Sequence, residues 1–144
     1  MTYARPLLVA VTLVASVATA GSLYFSLGLG LVPCTFCWYQ RILMYPLVVV
    51  AGVAAVEARA DVWRTVLPLS LGGTAVAAYH VYLQLRPAAA GTCGIDQSCA
   101  AVQYPIAGGL LTIPRLSLVA FLLVSALALV VAATDRAEST NPWA

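Results

Sequence analysis

Charge is almost absent from four long stretches of this chain, and that absence limits the fold more than any other feature. Residues 6–32, 38–56, 66–85 and 116–133 contain a single Arg and a single His between them, and no Asp, Glu or Lys. Each is close to the roughly 20 residues a helix needs to cross a hydrocarbon core about 30 Å thick. The polar–apolar alternation of a membrane barrel is missing, so the stretches read as helices. Composition agrees: apolar residues make up 62% of the 144, charged residues 8%. A soluble domain of this size would need about a quarter of its residues charged to dress its surface. Seven Arg, five Asp or Glu and no Lys cannot do so. A disordered chain is excluded by the same numbers, and a net charge of +2 is no footprint for nucleic acid. The expected fold is an all-α membrane protein, an antiparallel four-transmembrane-helix bundle forming a single integral membrane domain over residues 1–144.

The first stretch also carries Ala18-Thr19-Ala20, which resembles a signal-peptidase site. Its apolar character runs on through Leu23, Tyr24, Phe25 and Leu27 to Leu31, too far for a signal peptide, and only Arg5 precedes it. It is therefore read as a retained span. Residues 57–64 form a short charged connection that pairs the second and third helices. Residues 86–115 form the one long connection, broken by Pro87, Pro105 and Pro114, with an apolar part over 101–111 suited to the membrane interface. The tail after Ala133 is polar and reads as frayed.

Arg5, Arg59, Arg64 and Arg136 collect on one side of the bundle, against Arg86 and Arg115 on the other. That bias puts both termini in the cytoplasm and the long connection outside the cell membrane. The four cysteines follow without charge counting. Cys34 and Cys37 precede the second helix, Cys93 and Cys99 lie in the long connection, and two crossings separate the pairs. Both pairs emerge on one face.

Three chemistries could use such pairs. A four-cysteine zinc site calls for two tight knuckles, and the second pair is wide, so no metal is expected. Structural disulfides would do little, because closing a loop of about seven residues at Cys93–Cys99 yields only roughly 2.4 kcal/mol in the chain-entropy model. Redox exchange explains the spacing better. Pro33 suits a first helical turn, which would place Cys34 and Cys37 at a helix start, on one face and close enough to bridge. Unpaired backbone N–H groups there favour a thiolate, a good leaving group and electron donor. Arg41 follows one turn deeper, where its permanent charge could stabilise a Cys37 thiolate and an acceptor's developing charge, or merely snorkel. Trp38, Tyr39 and Tyr45 could be an aromatic belt or a flat wall for a planar ring. His80 and Gln84 share a face near the outer end of the third helix. A His inside a span is costly and marks a site by default, although a neighbouring helix could equally satisfy it. Asp96 reads as a solvated turn residue.

The string Pro33-Cys34-Thr35-Phe36-Cys37-Trp38-Tyr39-Gln40-Arg41-Ile42 closely resembles the signature of the DsbB/BdbC family of membrane thiol:quinone oxidoreductases. Thr112-Ile113-Pro114-Arg115-Leu116-Ser117-Leu118 resembles the BdbC-type branch, and His80-x3-Gln84-Leu85-x-Pro87 resembles that family's third-helix end. The resemblance implies a membrane quinone (ubiquinone or menaquinone type) as electron acceptor and a thioredoxin-like (DsbA/BdbD-type) disulfide carrier as partner. It implies that Cys37 faces the quinone with Arg41 assisting, and that His80, Gln84 and Trp38 contact it. Cys34 would exchange with the loop pair through Cys99, and Cys93 would form the mixed disulfide with the carrier. Cys93 and Cys99 stand closer together than in the best-known form of the family, which leaves the choice between them open. A vitamin-K-epoxide-reductase-like enzyme shares this chemistry but carries its C-x-x-C at a late span. A non-enzymatic membrane subunit with structural disulfides is the remaining alternative.

Overall fold

The computed structural model describes residues 4–86, 102, 104, 108 and 111–140. Four helices carry it: α1 (Ala4–Leu23), α2 (Thr35–Glu57), α3 (Trp63–Leu85) and α4 (Ile113–Thr140). A wide π turn, Tyr24–Gly28, extends α1, and a 3₁₀ turn, Ala60–Val62, leads into α3. All four helices are long and apolar enough to cross a membrane. They pack in a ring, α1 on α2, α2 on α3, α3 on α4 and α4 back on α1. This is the expected four-helix membrane bundle.

The buried faces follow helical spacing. Leu8, Val11 and Ala15 of α1 face Leu47, Ala51 and Ala54 of α2, while Phe121, Val124, Ala128 and Val131 complete the core from α4. Large apolar residues such as Val49, Val53, Val56 and Leu129 point outward and are exposed, as lipid-facing residues must be. Small residues let α3 and α4 approach closely. A Cβ placed on Gly73 would stand 2.0 Å from the ring of the fully buried Phe121. Three residues earlier, the buried Ser70 hydroxyl accepts a hydrogen bond from Ser125 across the same interface at 2.9 Å.

Two boundaries differ from the sequence expectation. The first span was expected to reach residue 32, but its helix ends at Gly28, where i to i+5 bonding (Leu29 N–H to Tyr24 C=O, 3.1 Å) widens the last turn. Gly30, at φ +67°, then turns the chain in a conformation that side chains disfavour. The tail, expected to fray after Ala133, is helical to Thr140. There the hydroxyls of Thr134, Ser139 and Thr140 donate to carbonyls of the preceding turn, and Trp63 Nε1 donates to Asp135 at 3.0 Å. Arg136 lies over the same indole at 4.8 Å. The tail is thus docked onto the start of α3. Most of the long connection, including Cys93, Asp96, Cys99 and most of the 101–111 part expected at the interface, lies outside the described residues.

The helix contact at Gly73 predicts that Gly73→Ala lowers stability by about 1–3 kcal/mol, because ring and methyl cannot share the space. Thermal unfolding in detergent, followed by circular dichroism, should show the lower Tm. Adding Phe121→Leu should recover part of it, whereas an unchanged Tm in Gly73→Ala would contradict this packing.

Candidate active site

In lipid, the first N–H groups of a helix need partners, and at the start of α2 one partner is a sulfur. The helix begins at Thr35, so Pro33 precedes it and does not occupy its first turn. Cys34 is the cap. Its backbone is extended (φ −71°, ψ 170°), and its Sγ accepts the Cys37 N–H at 3.4 Å. This folds the Cys34 side chain back over the first turn and brings the two sulfurs, unbonded, to 2.9 Å.

That closeness alters the acid–base expectation for Cys34. The Cys37 sulfur holds the Cys34 proton in a hydrogen bond, and burial adds to this, so the Cys34 thiol is pushed up to about 12. The hydrogen bond from His80 pulls the other way and is outweighed. The helix start therefore does not make Cys34 the thiolate.

His80 stands behind Cys34, on α3, and is 2% exposed. Its Nε2 lies 3.7 Å from Cys34 Sγ and its Nδ1 lies 3.1 Å from Gln40 Nε2. With the amide so placed, Nδ1 accepts and the ring proton sits on Nε2, facing the sulfur. Both nitrogens are satisfied, which is how a span tolerates the residue. Phe36 packs on the His80 ring with centroids 5.6 Å apart.

Arg41 reaches across to α1. Its Nε donates to Ser22 Oγ at 2.9 Å, and its Nη2 donates to the Ser22 carbonyl at 3.0 Å and also to Ser26 Oγ. Trp38 covers the guanidinium from outside, 5.3 Å from Arg41 Cζ to ring centre. The charge is held in one place.

A cavity of about 620 Å³ opens between α1, α2 and α4. Val17, Gly21, Phe25, Leu116, Ala120 and Leu123 give it mostly apolar walls. One stripe of α2 supplies polar groups: Cys37, Arg41 and Tyr45 all line it, one turn apart. The Tyr45 hydroxyl is buried and has no hydrogen-bond partner among the described residues, an arrangement that costs free energy.

Of the residues singled out in the sequence, the structure brings together Cys34, Cys37, Arg41 and His80. Only Cys37 and Arg41 of these line the cavity. His80 faces Cys34 because α3 packs on the other flank of α2, and Gln84 accepts a hydrogen bond from Thr112 at 2.9 Å, joining the ends of α3 and α4. Trp38 is half exposed. Sequence reading passed over Gln40, Ser22 and Ser26 as site residues, and weighed Tyr45 only as a belt or wall aromatic. Two serines spaced four apart in an apolar span, and a Gln adjoining an Arg, were the available signals.

The sequence model described as "Disulfide bond formation protein DsbB" matches residues 4–131. The chain is 42% identical over 113 residues to "Disulfide bond formation protein C" of Bacillus subtilis (strain 168), covering 77% of this chain and 81% of that one. It is 37% identical over 131 residues to a "Probable disulfide formation protein" of Oceanobacillus iheyensis, covering 89% of this chain and 90% of that one. To a protein of the same description from Metapseudomonas resinovorans it is 33% identical over 128 residues, covering 87% and 88%. No solved structure matches it. With a capped C-x-x-C pair at the end of a four-helix membrane bundle, the chain belongs to the DsbB family and is a protein-disulfide oxidoreductase.

Proposed function

We propose that this protein reoxidises a thioredoxin-like carrier outside the cell membrane, passing its electrons from Cys93 and Cys99 to Cys34 and Cys37 and on to a membrane quinone. The observation that carries this reading is the placement of Cys37, hydrogen-bonded to Cys34 on one side and lining an apolar cavity beside Arg41 on the other. Flanking residues of the long connection support it: Gln84 and Thr112 join at the Cys34 end of the bundle, so the segment between them starts and finishes there. Arg59, Arg64 and Arg136 lie toward the opposite end, which favours cytoplasmic termini and extracytoplasmic cysteines.

The cavity suits a quinone. Its walls are mostly apolar, the Arg41 guanidinium stands on one of them as a donor for a ring oxygen, and the Tyr45 hydroxyl, buried and without a hydrogen-bond partner among the described residues, lies one turn deeper. A bound quinone supplies the oxidising power, taking up two electrons and two protons. Each 30 mV of potential difference is worth about 1.4 kcal/mol for such a couple. Ser22 and Ser26 hold the Arg41 guanidinium against the wall, so its charge is set before any electron arrives. The loop dithiol attacks the Cys34–Cys37 disulfide at Cys34, freeing Cys37 at the cavity. The geometry favours that direction, since Cys37, the sulfur that leaves, is the one that lines the cavity. His80, held by Gln40, steadies Cys34 during the exchange.

In purified protein reduced without oxygen, Cys37→Ser should abolish quinone reduction while the loop pair still exchanges with a reduced thioredoxin-like carrier. Normal quinone reduction by that variant would overturn the assignment. Tyr45→Phe, in a Cys37→Ser background where no turnover occurs, should weaken quinone binding by about two- to tenfold, the worth of one hydrogen bond. Quenching of tryptophan fluorescence by added quinone measures it, and unchanged affinity would remove Tyr45 from the site. Finally, because the Cys34 thiol lies near 12 and not at its ordinary 9.0, iodoacetamide at pH 8 should alkylate it at least about tenfold more slowly than a free cysteine. The rate should climb only as pH rises toward 12. Cys37→Ala, which removes the largest cause, should shift that profile to lower pH.

A further inference from the structure

Cys34, Cys37 and His80 form more than a thiol pair with a neighbour. Their ligand atoms, two sulfurs and one ring nitrogen, all lie within 4.8 Å of one another. We infer that the reduced dithiol and His80 form a binding site for a soft divalent cation of the zinc or cadmium kind, which locks the enzyme in its reduced state. This inference involves neither quinone nor carrier, so it stands or falls apart from the proposed activity.

Geometry comes first. In a tetrahedral zinc site, with Zn–S near 2.3 Å and Zn–N near 2.0 Å, neighbouring ligand atoms stand about 3.6–3.8 Å apart. Cys34 Sγ and His80 Nε2 are already 3.7 Å apart. The two sulfurs, now at 2.9 Å, need to part by only about 0.9 Å, a small side-chain rotation. The spacing C-x2-C is that of a zinc knuckle, and the Cys37 N–H already points at the Cys34 sulfur, where it would support a bound thiolate.

Charge and donor type agree. Two thiolates, one neutral imidazole and a divalent cation sum to zero, which a buried position at the edge of a bilayer can hold. Two thiol protons leave to solvent as the metal enters, and no oxidant or reductant takes part. Sulfur and imidazole favour zinc and cadmium over magnesium or calcium. Among the described residues no carboxylate joins the cluster. Gln40 supplies the outer support that metal-bound histidines commonly have. It already contacts Nδ1, and turning its amide over offers Oε1 to an Nδ1–H, which frees Nε2 for the metal. Cys37 borders the cavity, so the fourth coordination position is open to water or an added thiolate. With both sulfurs held, the disulfide cannot re-form.

The test uses the full chain with Cys93→Ser and Cys99→Ser, reduced and without oxygen, titrated with cadmium alone. One equivalent should bind, with a thiolate-to-cadmium charge-transfer band, and the disulfide form should bind none. Gln40→Leu should weaken binding by about 10–100-fold, and His80→Ala by at least as much. X-ray absorption of the zinc-loaded protein guards against a His80 variant that fails to fold. It should show two sulfurs and imidazole scattering around each zinc. Equal binding by the disulfide form, full affinity in His80→Ala, or a shell of four sulfurs shared between two chains would each overturn the inference.

Discussion

A helix that starts inside or at the edge of a bilayer cannot leave its N–H groups to water, and α2 meets that demand with the sulfur of Cys34. The arrangement of the site follows from this contact. It turns Cys34 back over the helix and sets Cys37 beside it. Cys37 in turn heads the stripe that continues through Arg41 to Tyr45. A capping side chain that was not a thiol could satisfy the helix, but it could not exchange.

The two sulfurs have different surroundings. Cys34 is buried, backed by His80 and Gln40, and keeps its proton. Cys37 borders the cavity. In the proposed relay one sulfur is attacked and the other hands on electrons, although the two residues are chemically identical. Arg41 extends the asymmetry, because Ser22 and Ser26 anchor its charge on the cavity side. The π turn after Leu23 adjoins that anchor, in keeping with the tendency of such turns to occur at functional sites.

Lipid as solvent explains why so much of this was legible beforehand. Four spans, their approximate length and the meeting of the C-x-x-C segment with the long connection all follow from where charge is absent. The string from Pro33 to Ile42 was specific enough to indicate the family. Helix ends were less legible. The helix through Thr140 depends on Trp63 receiving Asp135 and Arg136 from 72 and 73 positions away, and no local preference of a polar tail reveals that. The early end of the first span depends on one glycine torsion amid residues that remain apolar.

What the amino-acid order determined alone was the solvent, the number of crossings and the identity of the reactive groups, because hydropathy and a C-x-x-C spacing are local properties. The tertiary structure decided which groups face which. His80 could have met a cavity or a cysteine, and the packing of α3 on α2 turns it toward Cys34. Tyr45 could have been one more belt aromatic, and the gap between α1 and α4 makes it part of a cavity wall. Those outcomes depend on the relative rotation of whole helices, which is set by contacts such as Gly73 against Phe121 far from the site itself.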